Sequence, residues 1–362
     1  MTEKISTDIL VVGAGPAGST AAEYAALRGA DVLLIERKKE IGIPFACGEF
    51  LPSIDEVKRI FPDALDIDTL FDIPRELISL ETHRLRIYSP KLRIYEFDFD
   101  GFTTYRDRFD RYLASKALKA GAKVLTGCAF ISINGDRVMT NQCEVQAKLV
   151  IGADGPRSRV ATSLGLPRNK ELYPAVTAQA IGDFEPVAEM YFGNIAPGGY
   201  AWILPKRGGA NIGVGISPRF AWKTVGEYFE EFVKWKQINA GKPTGKYVPM
   251  GGPLNPNYND KGLIVGDAAG HVMAVNGGGI PIALICGKIA GEVAASCVRS
   301  GESMARYGEA CRKQVERPLR TALRTKILAD LCWGSQRRLE LAMRILGKRR
   351  MANIIRCRRL FP

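Results

Sequence analysis

The sequence predicts an α/β protein: a Rossmann-like nucleotide-binding domain, interrupted by an antiparallel β-sheet domain and followed by a helical C-terminus. Three observations carry that prediction. A strand, glycine turn, helix and second strand open the chain, and two further apolar strands end in aspartates near 154 and 267. Stretches of alternating polar and apolar residues separate these pieces, as expected where a second, antiparallel domain is inserted. A length of 362 residues accommodates both domains. The expected division is 1–80, 106–172 and 255–300 for the nucleotide-binding domain, 81–105 and 173–254 for the sheet domain, and 301–362 for a basic helical C-terminal segment.

Each element has a local reason. "DILVVGAGPAG" from Asp8 is an apolar strand running into a glycine turn, "STAAEYAALRG" a helix, and "ADVLLIE" a second buried strand ending at Glu36. Residues 75–105 alternate and predict antiparallel strands, and "DRFDRYLASKALKAG" predicts an amphipathic helix. Strands follow around 123–133 and at "AKLVIGADG". Residues 175–216 are β-rich, "TVGEYFEEFVKWK" is helical, "GLIVGDAAG" is one more buried strand, and the chain after Gly279 is mostly helical. Residues 268–287 contain no formal charge and reach the length of a membrane span. Five glycines, a proline, an asparagine and a histidine in that run predict a buried loop leading into a helix instead.

Composition narrows the function classes. Eight cysteines are scattered without a Cys-x-x-Cys pair, and no basic stretch precedes an apolar segment at the N-terminus, so reduced thiols and a cytoplasmic location are expected. Only His83 and His271 are present, so no His-based metal site is expected. The net charge of +13 is concentrated: from Arg306 onward there are 16 basic and 4 acidic residues, against 35 and 34 in the rest. Such a tail suits an anionic membrane surface or an acidic partner, and the absence of any nucleic-acid module argues against nucleic acid.

Gly13-x-Gly15-x-x-Gly18 lies between a strand and a helix. Glycines there allow a tight turn and a close backbone approach to a pyrophosphate, and the helix N-terminus favours negative charge. Glu36, 18 residues after Gly18, is placed to accept hydrogen bonds from ribose hydroxyls. Those residues predict a dinucleotide. With "IGADGPRSRVA" (151–161) and "LIVGDAAGHVMAVNGGGI" (263–280), the three motifs in order resemble the FAD-binding flavoproteins that include aromatic hydroxylases of the p-hydroxybenzoate hydroxylase type and geranylgeranyl reductases. The resemblance implies FAD held by Gly13, Gly15, Ala17, Gly18, Glu36, Arg37, Gly48, Ala129, Asp154 and Gly155. Asp267 takes the ribitol-binding position, and Gly279 and Ile280 open the helix facing the flavin pyrimidine. "YRDRFDRYL" resembles the Arg-x-x-Phe-Asp segment, implying an FAD contact from Arg106. Ala161 stands where many members carry arginine.

A narrower resemblance follows. "YAWILPKRGGANIG" (200–213) matches the Tyr-x-Trp-x-x-Pro-Lys…Gly pattern of geranylgeranyl reductases, and "PFACGEF" their Pro-x-x-Cys-Gly segment. The likeness covers roughly residues 5–300 and is nearest in kind to the archaeal members that saturate geranylgeranyl chains of membrane lipid precursors. It implies a prenylated lipid substrate, contacts to it from Tyr200, Trp202, Pro205 and Gly213, and Cys47 beside the flavin as catalytic or site-lining thiol. No second glycine triplet is available for NADPH, so the electron donor is transient NADPH or an acidic ferredoxin steered by the basic tail.

Plainer readings stand beside these. Tyr200 and Trp202 alternate on a strand and suit a core, Cys47 suits a buried turn, Lys206 a strand end, and a hydrogen bond within its loop accounts for His271. "RRLELAMRILGKRRMANIIRCRRLF" reads either as a helix lying on a membrane or as a packed helix with a solvated basic face. Two rival functions share the motifs: a flavin monooxygenase or halogenase of this fold, and a non-catalytic, membrane-associated redox flavoprotein.

Overall fold

The computed structural model describes residues 3–44 and 46–358; the last four residues of the basic segment lie outside the described residues. The chain runs β1 (Glu3–Val12), α1 (Pro16–Leu27), β2 (Val32–Glu36), β3 (Phe50–Pro52), α2 (Ile54–Ile60), α3 (Ile67–Leu70), β4 (Ile78–Tyr88), β5 (Ile94–Thr104), α4 (Arg106–Lys119), β6 (Lys123–Thr126), β7 (Phe130–Asn134), β8 (Arg137–Thr140), β9 (Cys143–Gly152) and α5 (Arg159–Ser163). It continues β10 (Leu172–Ile181), β11 (Ala188–Tyr191), β12 (Tyr200–Lys206), β13 (Gly209–Gly215), α6 (Val225–Lys236), β14 (Thr244–Pro249), β15 (Tyr258–Asn259), β16 (Gly262–Ile264), α7 (Ile280–Ser300), α8 (Ala305–Cys311), α9 (Arg317–Asp330) and α10 (Gln336–Ile355).

One sheet has the order β15-β16-β9-β1-β2-β6, parallel from β16 to β6, with the β7–β8 hairpin attached to β9. The chain leaves β1 towards β2 and β6, then returns to β9 on the other side. The crevice beyond the carboxyl end of β1 is thus a topological switch point, where α/β sheets bind ligands. The apolar strands are buried on both faces, under α1 and α7 on one side and the β7–β8 hairpin with α5 on the other.

The second sheet has the order β14-β10-β13-β12-β11-β4-β5-β3 and is antiparallel except for the β11–β4 pair. Its first strand in the chain, β3, belongs to the span assigned by sequence to the nucleotide-binding domain. Three residues following a turn carry no readable alternation, so β3 shows only through its pairing with β5. Helix α6 covers one face with Tyr228, Phe229 and Phe232, opened by a Thr224–Glu227 capping box. The other face packs against α10.

Helix α7 is long and apolar enough to cross a membrane, yet most of it is buried in the protein, in line with the reading of 268–287 as loop then helix. It lies against α1 at close range: a Cβ at Gly291 would meet the Ala21 carbonyl oxygen at 2.3 Å. The C-terminal segment is not one unit. Tyr307, Cys311, Val315 and Leu319 join the core of the parallel-sheet domain, whereas Leu339, Met343, Met351 and Ile355 of α10 join the core of the second sheet.

Candidate active site

The turn after β1 has the geometry that a pyrophosphate needs. Gly13 adopts φ +103°, and Gly15 caps α1 with no side chain bonded to the helix amides. A Cβ at Gly15 would have no atom within 4 Å, so this side of the turn is open. Ala17 is buried under it and Gly18 packs back on the turn. Glu36 closes the turn: its carboxylate accepts from the amides of Ala14 (2.9 Å) and Lys38 (3.0 Å) and keeps lone pairs for hydroxyls. Arg37 is exposed beside it. An uncapped helix start, an open glycine and a fixed carboxylate fit the diphosphate and ribose of FAD.

The other expected contacts are distributed around this crevice. Asp154 accepts from Ser158 Oγ (2.6 Å) and from the amides of Arg159 (2.7 Å) and Val160 (3.1 Å), so its carboxylate caps α5; Gly155 beside it takes φ +87°. The Ala129 N–H is committed to Asn141 Oδ1 at 2.6 Å. Asp267 pairs with Lys246 at 3.6 Å, and its carboxylate lies beside Gly279, where a Cβ would stand 3.4 Å from it. Gly279 and Ile280 start α7, again without a side-chain cap, leaving a second positive helix end towards the crevice. The His271 amide donates to the Gly266 carbonyl at 3.1 Å within the loop, whereas its side-chain Nδ1 has no partner among the described residues, and burial lowers its pKa to about 4. The ring packs with the Cys286 and Cys311 thiols, and burial pushes the Cys286 thiol up.

Cys47 sits where the two sheets meet. Its sulfur accepts from Arg106 Nη1 (3.1 Å) and from the Glu49 amide (3.2 Å), and its carbonyl accepts from Asn211 Nδ2 (2.8 Å). Arg106, whose side chain is 12% exposed, also donates to Asp110 Oδ1 at 2.9 Å. Burial works against its charge, but Asp110 and Cys47 more than offset that and its pKa rises. The guanidinium is therefore turned towards the thiol, a placement its sequence motif does not announce.

Glu49, Gln179 and Asn211 are the residues that sequence reasoning missed. Glu49 is fully buried and accepts from Lys206 Nζ (2.8 Å), Asn211 Nδ2 (2.8 Å) and Gln179 Nε2 (2.5 Å). Lys206 is thus more than a strand end. Trp202 Nε1 donates to Asn211 Oδ1 at 2.9 Å, and Pro205 is buried with its carbonyl accepting from Thr103 Oγ1. The only sequence signal was an acid two residues past Cys47 and a lysine at the end of an apolar strand.

Beside this network a cavity of about 520 Å³ opens between the second sheet and α9–α10, a size usual for small-molecule sites. Cys47 and Gly48 line it with Trp202, Tyr200, Leu204, Phe192, Met343 and Leu346. Tyr200 and Trp202 share a face as the alternation requires, ring centroids 5.7 Å apart. The Tyr200 hydroxyl donates to the Asn276 carbonyl, and burial, then Cys47, raises its pKa, so the phenol stays neutral.

Residues 176–251 match the family model of the geranylgeranyl reductase catalytic domain, and residues 8–43 that of FAD dependent oxidoreductases. A digeranylgeranylglycerophospholipid reductase of Methanocaldococcus jannaschii is 35% identical over 337 residues, covering 86% of this chain and 81% of that protein. One from Methanosphaera stadtmanae is 37% identical and covers 82% and 80%. The chain belongs to the digeranylgeranylglycerophospholipid reductase family. It is an FAD-dependent oxidoreductase. Among solved structures, a geranylgeranyl bacteriochlorophyll reductase-like protein from Thermoplasma acidophilum superposes with a TM-score of 0.82 at 29% identity, covering 94% of this chain and 91% of its own. The myxobacterial chondrochloren halogenase shares the fold at 18% identity and a TM-score of 0.71, over 91% and 84% of the two chains. The matched 176–251 segment of this reductase carries Thr177, Gln179, Lys206 and Asn211, which are most of the hydrogen-bond partners of the Cys47–Glu49 loop, together with Trp202 of the cavity wall and Gly213 packed against it.

Proposed function

We propose that this reductase saturates isolated C=C bonds of geranylgeranyl chains in isoprenoid membrane-lipid precursors, with Cys47 as the group that holds the transferred proton. The observation that carries the reading is one apolar cavity lined by Cys47, whose sulfur is held by Arg106 and by the Glu49 amide. Bound FAD, once reduced, supplies hydride. The residues of the chain do the rest. The walls of α10 and the second sheet take up the prenyl chain and exclude water, which would otherwise compete for positive charge on carbon. Trp202 and Tyr200 present aromatic faces where that charge develops. Arg106 holds the Cys47 sulfur in place through its Nη1–H.

The electron donor in this reading is a ferredoxin rather than NADPH. Support comes from the net charge of +13 and from the first glycine turn already being fitted to FAD. The reductase works on the inner face of the cell membrane, held there by its basic C-terminal helix.

One assay tests the reading. The FAD-loaded protein is incubated without oxygen with digeranylgeranylglyceryl phosphate, using dithionite, reduced ferredoxin or NADPH in separate arms, and products are weighed by mass spectrometry. Stepwise addition of hydrogen is expected, with a ferredoxin arm that slows as salt rises. Unchanged lipid in all arms, or an oxygenated product when air is admitted, sinks it. Cys47→Ala is expected to lose most turnover; full turnover removes the thiol from the chemistry.

A further inference from the structure

We propose that Glu49 is the positioning residue of this active site: a buried carboxylate whose bonds fix the Cys47 loop and aim the sulfur into the cavity. The proposal rests on the reading of Cys47 given above. Glu49 is 0% exposed and takes φ +60°, a left-handed conformation that an ordinary side chain adopts only when its surroundings enforce it. The enforcement is visible. Oε1 accepts from Lys206 Nζ at 2.8 Å and the Arg106 amide at 3.3 Å, and Oε2 from Asn211 Nδ2 at 2.8 Å and Gln179 Nε2 at 2.5 Å. These donors come from β10, β12, β13 and the start of α4, so both halves of the molecule hold one side chain.

The consequence falls on Cys47. With Glu49 left-handed, its own amide donates to the Cys47 sulfur at 3.2 Å. Asn211, which binds the carboxylate, also binds the Cys47 carbonyl at 2.8 Å. The same Asn211 accepts from the Trp202 indole, so thiol and aromatic wall are referred to one centre. An ion pair kept for stability alone could be replaced by packed apolar groups. What apolar groups cannot supply is direction: four donors at one carboxylate set the turn that points the sulfur.

The test compares Glu49→Gln, Gln179→Leu, and the double variant Glu49→Gln with Lys206→Met, which strands no charge. Each is FAD-loaded and assayed for kcat and KM on the prenyl lipid. Each is also treated with N-ethylmaleimide, and Cys47 labelling is followed by peptide mass mapping. A positioning role predicts that kcat falls about tenfold or more in both Glu49 variants while KM changes less than about threefold. It also predicts faster Cys47 labelling, with Gln179→Leu intermediate. Labelling that stays at the wild-type rate in the folded double variant overturns the proposal, as does wild-type kcat in both Glu49 variants. If Cys47→Ala keeps turnover, the thiol's role fails separately, and the labelling comparison still decides for or against Glu49.

Discussion

Gly213 shows how a single missing atom sets the active-site wall. A Cβ there would lie 2.2 Å from Trp202 Cζ2 and 2.5 Å from the Val176 carbonyl oxygen. The indole lies flat on β13 only because position 213 has no side chain. In the sequence, the Tyr-x-Trp-x-x-Pro-Lys…Gly pattern marks Gly213 but gives no reason for it; the reason is a cross-strand contact, since Trp202 is the partner of Gly213 in the β12–β13 register. Glu49 lay outside the legible pattern for the same cause, because three of its four donors are about 130 to 160 residues away in sequence. Gly213→Val should displace the indole into the cavity and break its 2.9 Å bond to Asn211. Overpacking of this kind costs about 1–3 kcal/mol, so a lower melting temperature is expected together with a loss of lipid turnover of about tenfold. FAD titration should be unaffected. Wild-type turnover in the Gly213→Val variant would show that the indole does not shape the site.

Among the elements, α10 repays the closest reading. The amphipathic pattern of its sequence was open between a helix lying on a membrane and a packed helix with a solvated basic face; the helix packs one side and exposes apolar and basic residues on the other. Leu339, Met343, Met351 and Ile355 pack on the second sheet, while Leu341 and Ile345 are more than half exposed among arginines. The helix is broken at Gly347, φ +64°, which no pattern of apolar residues reveals. Its end is locked by Arg356, which grips Glu56 of α2 through two bonds, Nε at 2.7 Å and Nη2 at 2.6 Å, and stacks over Phe99 at 5.2 Å. Glu56 is 1% exposed, and Arg59 is its other cation at 2.9 Å. Removing Arg356 strands much of a buried charge. Arg356→Ala should therefore destabilise by about 2–4 kcal/mol and loosen the cavity wall. Urea unfolding measures the first effect, and a raised KM for the lipid with FAD affinity unchanged measures the second. The paired change Glu56→Gln with Arg356→Met should recover most of the stability; if it does not, the ion pair is not what fastens α10.

Over the whole molecule, the parallel-sheet domain was the legible part, because its strands are apolar runs and its glycine turn is local. The second sheet was legible as antiparallel strands, but its order was not, since pairings such as β11 with β4 join distant segments. Charge was legible as a basic tail, and the fold gives that tail an address. Ile327 and Leu328 on α9, Leu331 just after it, and Leu341 and Ile345 on α10 are each more than half exposed, and Leu328 and Ile345 also line the cavity. Arg337, Arg338, Arg344, Lys348 and Arg349 are exposed on the same helix. An apolar ridge at the mouth of an apolar cavity, flanked by cations, suits an anionic bilayer from which a prenyl chain is drawn. The protein should then sediment with phosphatidylglycerol vesicles and not with phosphatidylcholine ones, and high salt should release it. Each basic residue near such a surface contributes about 1 kcal/mol, so Arg338→Glu with Arg344→Glu should weaken vesicle binding at least about tenfold. Turnover of detergent-dispersed lipid should persist in that variant, because neither arginine lines the cavity. Equal binding to neutral and anionic vesicles, or undiminished binding by the double variant, would rule out an anionic membrane contact at this face.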